Sequence, residues 1–249
     1  MADEIVLETG AGVGRITLDR PAKKNAITTA MYAAMADALV AYRADDEVRA
    51  ILFTGGADFT AGNDLQDFMM ASMGGVSFED LPVLRFLNAL RDCEKPVVVA
   101  VRGNAVGIGT TLLLHCDLTI ASQTARFRLP FVPLGLVPEA ASSLLLPLVV
   151  GRARAARLLM GGEFFDAREA LEMGLVAKVV DDSATDDAAI DAAAKLAELP
   201  PAALRETKRL LKAPWAAQVK AQMDEETAAF TARLASDEFR AAAMKLLSR

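Results

Sequence analysis

The chain has 249 residues, is 53% hydrophobic and 24% charged, and carries a formal net charge of −6. This length suits one sizeable domain, or one domain with a helical appendage, and the balance suits a packed soluble globule. An acidic chain without a basic run argues against a nucleic-acid partner, which needs clustered Lys and Arg, but leaves room for one anionic ligand held by a few local lysines.

Cys93 and Cys116 have no paired spacing. A disulfide framework or zinc site is not expected, and a reducing, cytoplasmic setting fits. His115 is the single histidine, so a Ser-His-Asp mechanism or a multi-histidine metal site would rest on it alone. The acidic start Met1–Glu4 has no apolar run and is not a secretory signal. Apolar runs such as Leu144–Val150 are too short to span a bilayer. The ending Leu247-Ser248-Arg249 is not the peroxisomal address.

In chain order, Ile5–Glu8 and Gly14–Leu18 read as two strands joined by a glycine-bearing turn. Thr28 or Thr29 caps a helix reaching Ala44, with Met31, Met35, Leu39 and Tyr42 at helical spacing. Val48–Thr54 is a strand, Asp64–Ala71 a helix, and Met73–Asp80 a mobile loop. Leu81–Cys93 is helical and Val97–Val101 a buried strand. Gly103–Gly109 reads as a turn, Thr110–Cys116 as a helix and Leu118–Ala121 as a strand. Helices are expected at Pro138–Val150, Ala153–Gly161 and Asp166–Met173, then a strand at Leu175–Val180 and an acidic loop at Asp181–Asp187. Strands alternating with helices indicate an α/β domain. From Ala188 everything reads as helix, broken at Pro200-Pro201, with Gln218–Leu234 and Asp237–Leu247 following.

Gly10-Ala11-Gly12-Val13-Gly14 leads into a strand rather than a helix, so it is not a dinucleotide-binding turn, and no phosphate-binding P-loop sequence occurs. Phe59–Leu65 and Gly103–Thr110 each place a turn after a buried strand and before a helix. Two such turns brought together can aim two N–H groups at one carbonyl oxygen. They can equally serve only to tighten strand-to-helix connections, with Asp64 as a helix cap.

Arg20–Ile27, Phe59–Leu65, Asn104–Thr110 and Cys116-Asp117 together, in this order and spacing, resemble the crotonase (enoyl-CoA hydratase/isomerase) superfamily from about Ile5 to the C-terminus. The resemblance implies a crotonase-like spiral of ββα units over residues 1–187. A helical trimerisation region over 188–249 would make a homotrimer or hexamer. It implies an acyl-CoA thioester substrate, with coenzyme A as part of that substrate and no separate cofactor or metal. The thioester oxygen would lie between the backbone N–H groups of Asn63 and Ile108. Substrate contacts would come from Lys24, Ala61, Gly62, Asp64, Leu65, Gly107 and Phe131, with Lys24, or less directly Lys208, near the phosphates. A solvated surface lysine is the other reading of Lys24.

Hydratases of this superfamily use two glutamates, and the matching positions here are Thr111 and Phe131, neither of which can move a proton usefully. Leu134–Ser143 instead carries Glu139, and this segment resembles peroxisomal-type Δ3,Δ2-enoyl-CoA isomerases, in which a glutamate at this place is the base. The implied activity is a single-base shift of a double bond from C3 to C2. Hydration, another reaction of the family, or non-catalytic acyl-CoA binding are the alternatives. Pro138 suits the first turn of a helix, placing Glu139 in that turn, where it would serve as base or merely cap the helix. His115 reads as a buried structural histidine, and Asp117 as a helix terminator or internal partner. The Met69, Met70 and Met73 group lines an acyl tunnel or forms a plain apolar helix face.

Overall fold

The computed structural model describes residues 4–73 and 81–247. Apart from Met73, the loop expected over Met73–Asp80 lies outside the described residues.

Among the described residues, nine strands form two sheets. The larger has six, β1 (Ile5–Gly10), β2 (Val13–Leu18), β3 (Ala50–Thr54), β4 (Val97–Val101), β6 (Leu118–Ser122) and β9 (Lys178–Val180), side by side in that order. β1 and β2 are an antiparallel hairpin turned by Ala11 and Gly12, both at positive φ, and all later neighbours are parallel. β3 and β4 are buried along their whole length. That is the mark of a parallel sheet covered on both faces, and it explains their continuous apolar runs. On one face α1 (Thr29–Ala44) and α3 (Pro82–Arg91) pack together and bury Tyr32, Met35, Phe86 and Leu90 against Ile51 and Phe53. Thr28 caps α1, its Oγ1 accepting the Met31 N–H at 3.2 Å.

The opposite face is covered by α8 (Thr185–Glu198), whose Ala189, Ala193 and Ala197 recur every four residues and lie on Ala50, Leu52, Val98 and Ile120. The acidic segment Asp181–Asp187 is therefore not a free loop. It forms a 3₁₀ turn (Asp182–Ala184) and the first turn of α8, with Asp182 and Asp186 paired to Arg102 at 3.0 and 3.3 Å. The boundary expected at residue 187 falls inside α8, which packs on the sheet.

The smaller sheet joins β5 (Asn104–Val106), β7 (Arg126–Arg128) and β8 (Phe164–Asp166). The expected turn over Gly103–Gly109 thus contains a three-residue strand, and the expected helix after it divides into α4 (Ile108–Thr111) and a 3₁₀ turn (Leu112–His115). α2 (Leu65–Met73) follows the Phe59–Asp64 turn.

The larger correction lies at α5, which runs over Ser142–Val150 and not from Pro138. Ala140 and Ala141 have φ values of 59° and 54°, a left-handed pair that an α-helix cannot contain, so Glu139 stands outside the helix in an extended lead-in. α6 (Arg152–Gly161) and α7 (Ala167–Glu172) follow. The C-terminal part is helical as expected, with α9 (Pro201–Lys212), α10 (Ala216–Leu234) and α11 (Asp237–Leu247). Among the described residues, no helix is long and apolar enough to cross a membrane.

Candidate active site

The Arg20–Ile27 motif builds the site without touching it. Asn25 is buried, and its Nδ2 donates to Gly55 O at 2.6 Å and Asp58 O at 2.7 Å while its Oδ1 accepts the Arg20 N–H at 2.7 Å. The arginine side chain reaches Glu4 at 2.8 Å and Asp64 at 2.7 Å. These bonds fix Ile27 beside the Thr60–Asp64 turn. The Ile27 N–H donates to Gly62 O at 2.8 Å, and the Asp64 N–H donates to Ile27 O at 2.9 Å. In such a parallel bridge the residue between the two bonded groups, Asn63, turns its own N–H to the opposite side.

The second turn is held against the first by the Thr60–Ala105 bridge and by the Val106 N–H donating to Thr60 O at 3.1 Å. Gly107, at φ 57° and ψ −117°, takes a conformation open to glycine and redirects the chain from β5 into α4. Ile108 is then the first residue of α4, where N–H groups have no helical acceptor. Among the described residues, neither the Asn63 nor the Ile108 N–H donates to a protein acceptor.

Both residues line a cavity of about 700 Å³ that also takes in Ala61, Gly62, Leu65, Gly107, Phe131 and Glu139. So eight of the residues implied by the resemblance meet in one place. Asp64 and Lys24 are not among the lining residues. The Asp64 carboxylate pairs with Arg20, and its Oδ1 accepts the Gln66 and Asp67 N–H groups, each at 3.1 Å, which makes it the cap of α2. Burial would raise its pKa, but the Arg20 hydrogen bond and charge together with the Asp67 and Gln66 N–H groups outweigh it, so the pKa is lowered. Lys24 is exposed, in a left-handed conformation, and only its carbonyl reaches the site, accepting the Ala61 N–H at 2.9 Å. Lys208 is buried, and its Nζ donates to Asp117 Oδ2 and Lys95 O, each at 2.7 Å. It is an internal ion pair, not a phosphate ligand. The cations that do line the cavity are Arg128 and Lys245. Met70 is exposed and Met69 packs against the main core, so neither lines the cavity.

Glu139 is partly buried among Phe131, Leu134, Leu136 and Phe230, and it also lines a small apolar side pocket of about 30 Å³ between α3 and α10. Burial pushes its carboxyl up to about 8, against the lowering effect of a hydrogen bond from Thr111 Oγ1 and reinforced by the nearby Glu226 charge. Tyr32 donates from its hydroxyl to Asn63 Oδ1. Its own pKa is raised well above the ordinary value, by burial first and the Glu139 charge second. The Asn63 side-chain oxygen is thus held by the protein. His115 is buried, with Nε2 at 2.8 Å from Ala140 O, and burial lowers its pKa to about 4. It is a neutral structural histidine. Among the described residues no group of three or more His, Cys, Asp or Glu side chains converges as a metal site.

Sequence reading did not find Tyr32, Arg128, Phe230, Phe239 or Lys245. Lys245 and the two phenylalanines lie on the C-terminal helices, and no local pattern says which face of those helices turns back to the cavity.

Comparison with known proteins agrees with this geometry. A family description for enoyl-CoA hydratase/isomerase matches residues 8–247. The rat protein "Enoyl-CoA delta isomerase 2" is 39% identical over 98% of this chain, which spans 63% of the rat protein's length. The Escherichia coli protein "1,2-epoxyphenylacetyl-CoA isomerase" is 36% identical over 91% of this chain and 88% of its own length. Among solved structures, Pseudomonas aeruginosa OdaA superposes with a TM-score of 0.95 at 45% identity, covering 100% of both chains. With its two sheets, its paired turns and a match over nearly its full length, the chain belongs to the enoyl-CoA hydratase/isomerase family, and its fold is the crotonase fold.

Proposed function

We propose that the protein is an enoyl-CoA isomerase that moves a double bond from C3 to C2 of an acyl-CoA thioester, with Glu139 as its single base. The observation that carries this reading is the convergence of the Glu139 carboxyl with Asn63 and Ile108 in one cavity. The acyl oxygen is held by the two N–H groups. Ionised Glu139 takes a proton from C2, and the charge spreads through a dienolate onto that oxygen. The resulting carboxylic acid returns the proton to C4, so one group serves both steps and no proton is gained or lost. An oxyanion donor of this kind is worth about 3–4 kcal/mol in the transition state.

Two features favour isomerisation over hydration. Thr111 and Phe131 stand where a hydratase needs carboxyl groups, and Thr111 spends its hydroxyl on Glu139. A carboxyl raised to about 8 also holds its captured proton long enough to return it, whereas an ordinary glutamate would release it readily. Arg128 and Lys245 supply positive charge on the cavity wall suited to the phosphates of coenzyme A.

The test is conversion of 3-hexenoyl-CoA to its conjugated 2-enoyl isomer. The wild type is expected to turn over, and Glu139→Gln to lose at least about 10²-fold in kcat. Full activity in the variant removes Glu139 from the mechanism. Water addition to crotonyl-CoA that depends on Glu139, without isomerisation, would assign a hydratase instead.

A further inference from the structure

Glu226 lies on α10, 87 positions from Glu139 in sequence, and is buried. Its Oε1 accepts the Ser143 N–H at 2.9 Å and the Ser143 hydroxyl at 2.5 Å. Ala141 and Ser143 are the cap residue and second residue of α5, a helix whose cap position supplies no side-chain acceptor of its own. A carboxylate from a distant helix therefore does the work that Ser, Asp or Asn does locally elsewhere.

The place it holds is the strained one. Ala140 and Ala141 are consecutive non-glycine residues in the left-handed region, and they are what turns Glu139 away from α5 and into the cavity. Such a pair persists only where neighbours fix it. His115 fixes the first through Ala140 O, and Glu226 pins Ser143, two residues after the second, through its N–H and hydroxyl.

The same carboxylate acts through its charge. Its Oε2 is buried without a partner among the described residues, so nothing neutralises the charge on that side. We propose that Glu226 is a positioning residue that holds the Ala140–Ala141 turn and thereby aims Glu139, and that its negative charge opposes a second one on Glu139.

Two donors from Ser143 at a helix N-terminus favour the ionised form of Glu226, whereas Glu139 has one donor, Thr111. Burial raises Glu226 while its Ser143 donors lower it, and with Glu226 ionised, Glu139 loses its proton against an existing charge. The other charged or titratable groups around Glu139 are Tyr32 from α1 and, on the cavity wall, Arg128 from β7 and Lys245 from α11, while His115 stands behind Ala140.

This inference uses the assignment of Glu139 as base, but its test can be read without turnover. Protein labelled with ¹³C at the glutamate carboxyls is titrated as wild type, Glu226→Gln and Glu226→Ala, the Glu139 signal being the one lost in Glu139→Gln. Glu226→Gln should move Glu139 ionisation, and the rising limb of kcat/KM against pH, to lower pH. Glu226→Ala should add a loss of about tenfold or more in the pH-independent plateau, exceeding that of Glu226→Gln, because the turn loses its acceptor as well. A Glu139 titration in Glu226→Gln that coincides with wild type overturns the charge role, and an unchanged plateau in folded Glu226→Ala overturns the positioning role. If Glu226→Ala does not fold, the same plateau comparison in Glu226→Met decides the positioning role. Turnover that survives Glu139→Gln would sink the isomerase reading while leaving the titration result standing.

Discussion

Thr111 Oγ1 donates to Glu139 Oε1, so the residue that stands where a hydratase glutamate would be has become a partner of the remaining acid. This bond favours the ionised carboxyl against the burial that disfavours it. Thr111→Val keeps the shape and removes the donor. The ionisation of Glu139 should move further above about 8, and kcat/KM at pH 7 should fall by about tenfold. The deficit should shrink as pH rises. A constant ratio of variant to wild type from pH 6 to 10 would assign Thr111 to packing alone.

Glu139 should also leave its mark on stability. Its folded-state pKa lies above the ordinary 4.5, at about 8, so the folded protein holds this proton more tightly than the unfolded chain does. The resulting stabilisation is complete below 4.5 and is lost as pH rises through about 8. In urea titrations the wild-type midpoint should therefore decline relative to Glu139→Gln across that window. Parallel curves would mean that the carboxyl is better solvated than its surroundings imply.

Gly62 has φ 93°, and a Cβ added there would meet Val106 O at 2.9 Å, a backbone atom of the opposing turn. Gly62→Ala should push the two turns apart and displace the Asn63 N–H. About 10²-fold of kcat should go with it, for a stability cost of only about 1–3 kcal/mol. Comparing kcat with the thermal midpoint separates the two effects. A kcat within twofold of wild type would show that the oxyanion does not rely on Asn63.

Lys208, offered by the sequence, and Lys245, placed on the cavity wall by the structure, give a paired test. Lys208→Met should cost about 3 kcal/mol by stranding Asp117, with little change in KM. Lys245→Ala should raise KM for a CoA ester several-fold but not for the matching pantetheine ester, with stability nearly unchanged. The opposite pattern would restore Lys208 as a ligand-binding group.

What could be read from the sequence follows the range of the forces involved. β4 at Val97–Val101 and α11 at Asp237–Leu247 match their expected bounds, and of the two threonines expected at the start of α1, Thr28 is the cap and Thr29 the first helical residue, because periodicity and capping act within a few residues. Motif order was enough to bring Asn63, Ile108 and Glu139 together. The helix expected from Pro138 was four residues too early, since alanine gives no local sign of the left-handed pair that delays α5. β7 and β8 are three residues each, too short to carry an alternating pattern, and exist because they pair with each other. Lys208 could be offered as a phosphate contact because only the folded chain brings Asp117 and Lys95 to it, and Glu226 finds Ser143 across 83 positions.

The order in which the cavity walls are synthesised matters for damaged forms of the protein. The oxyanion turns and Glu139 are all in place by residue 139, yet Phe230, Phe239, Ala241, Ala242 and Lys245 close the outer side of the cup from the last two helices. A nonsense lesion just ahead of Glu226 would leave Asn63, Ile108 and Glu139 in an open trough, where water reaches the carboxyl. Loss of Glu226 along with that segment would free the Ala140–Ala141 turn, so even a short C-terminal deletion should behave as an active-site lesion.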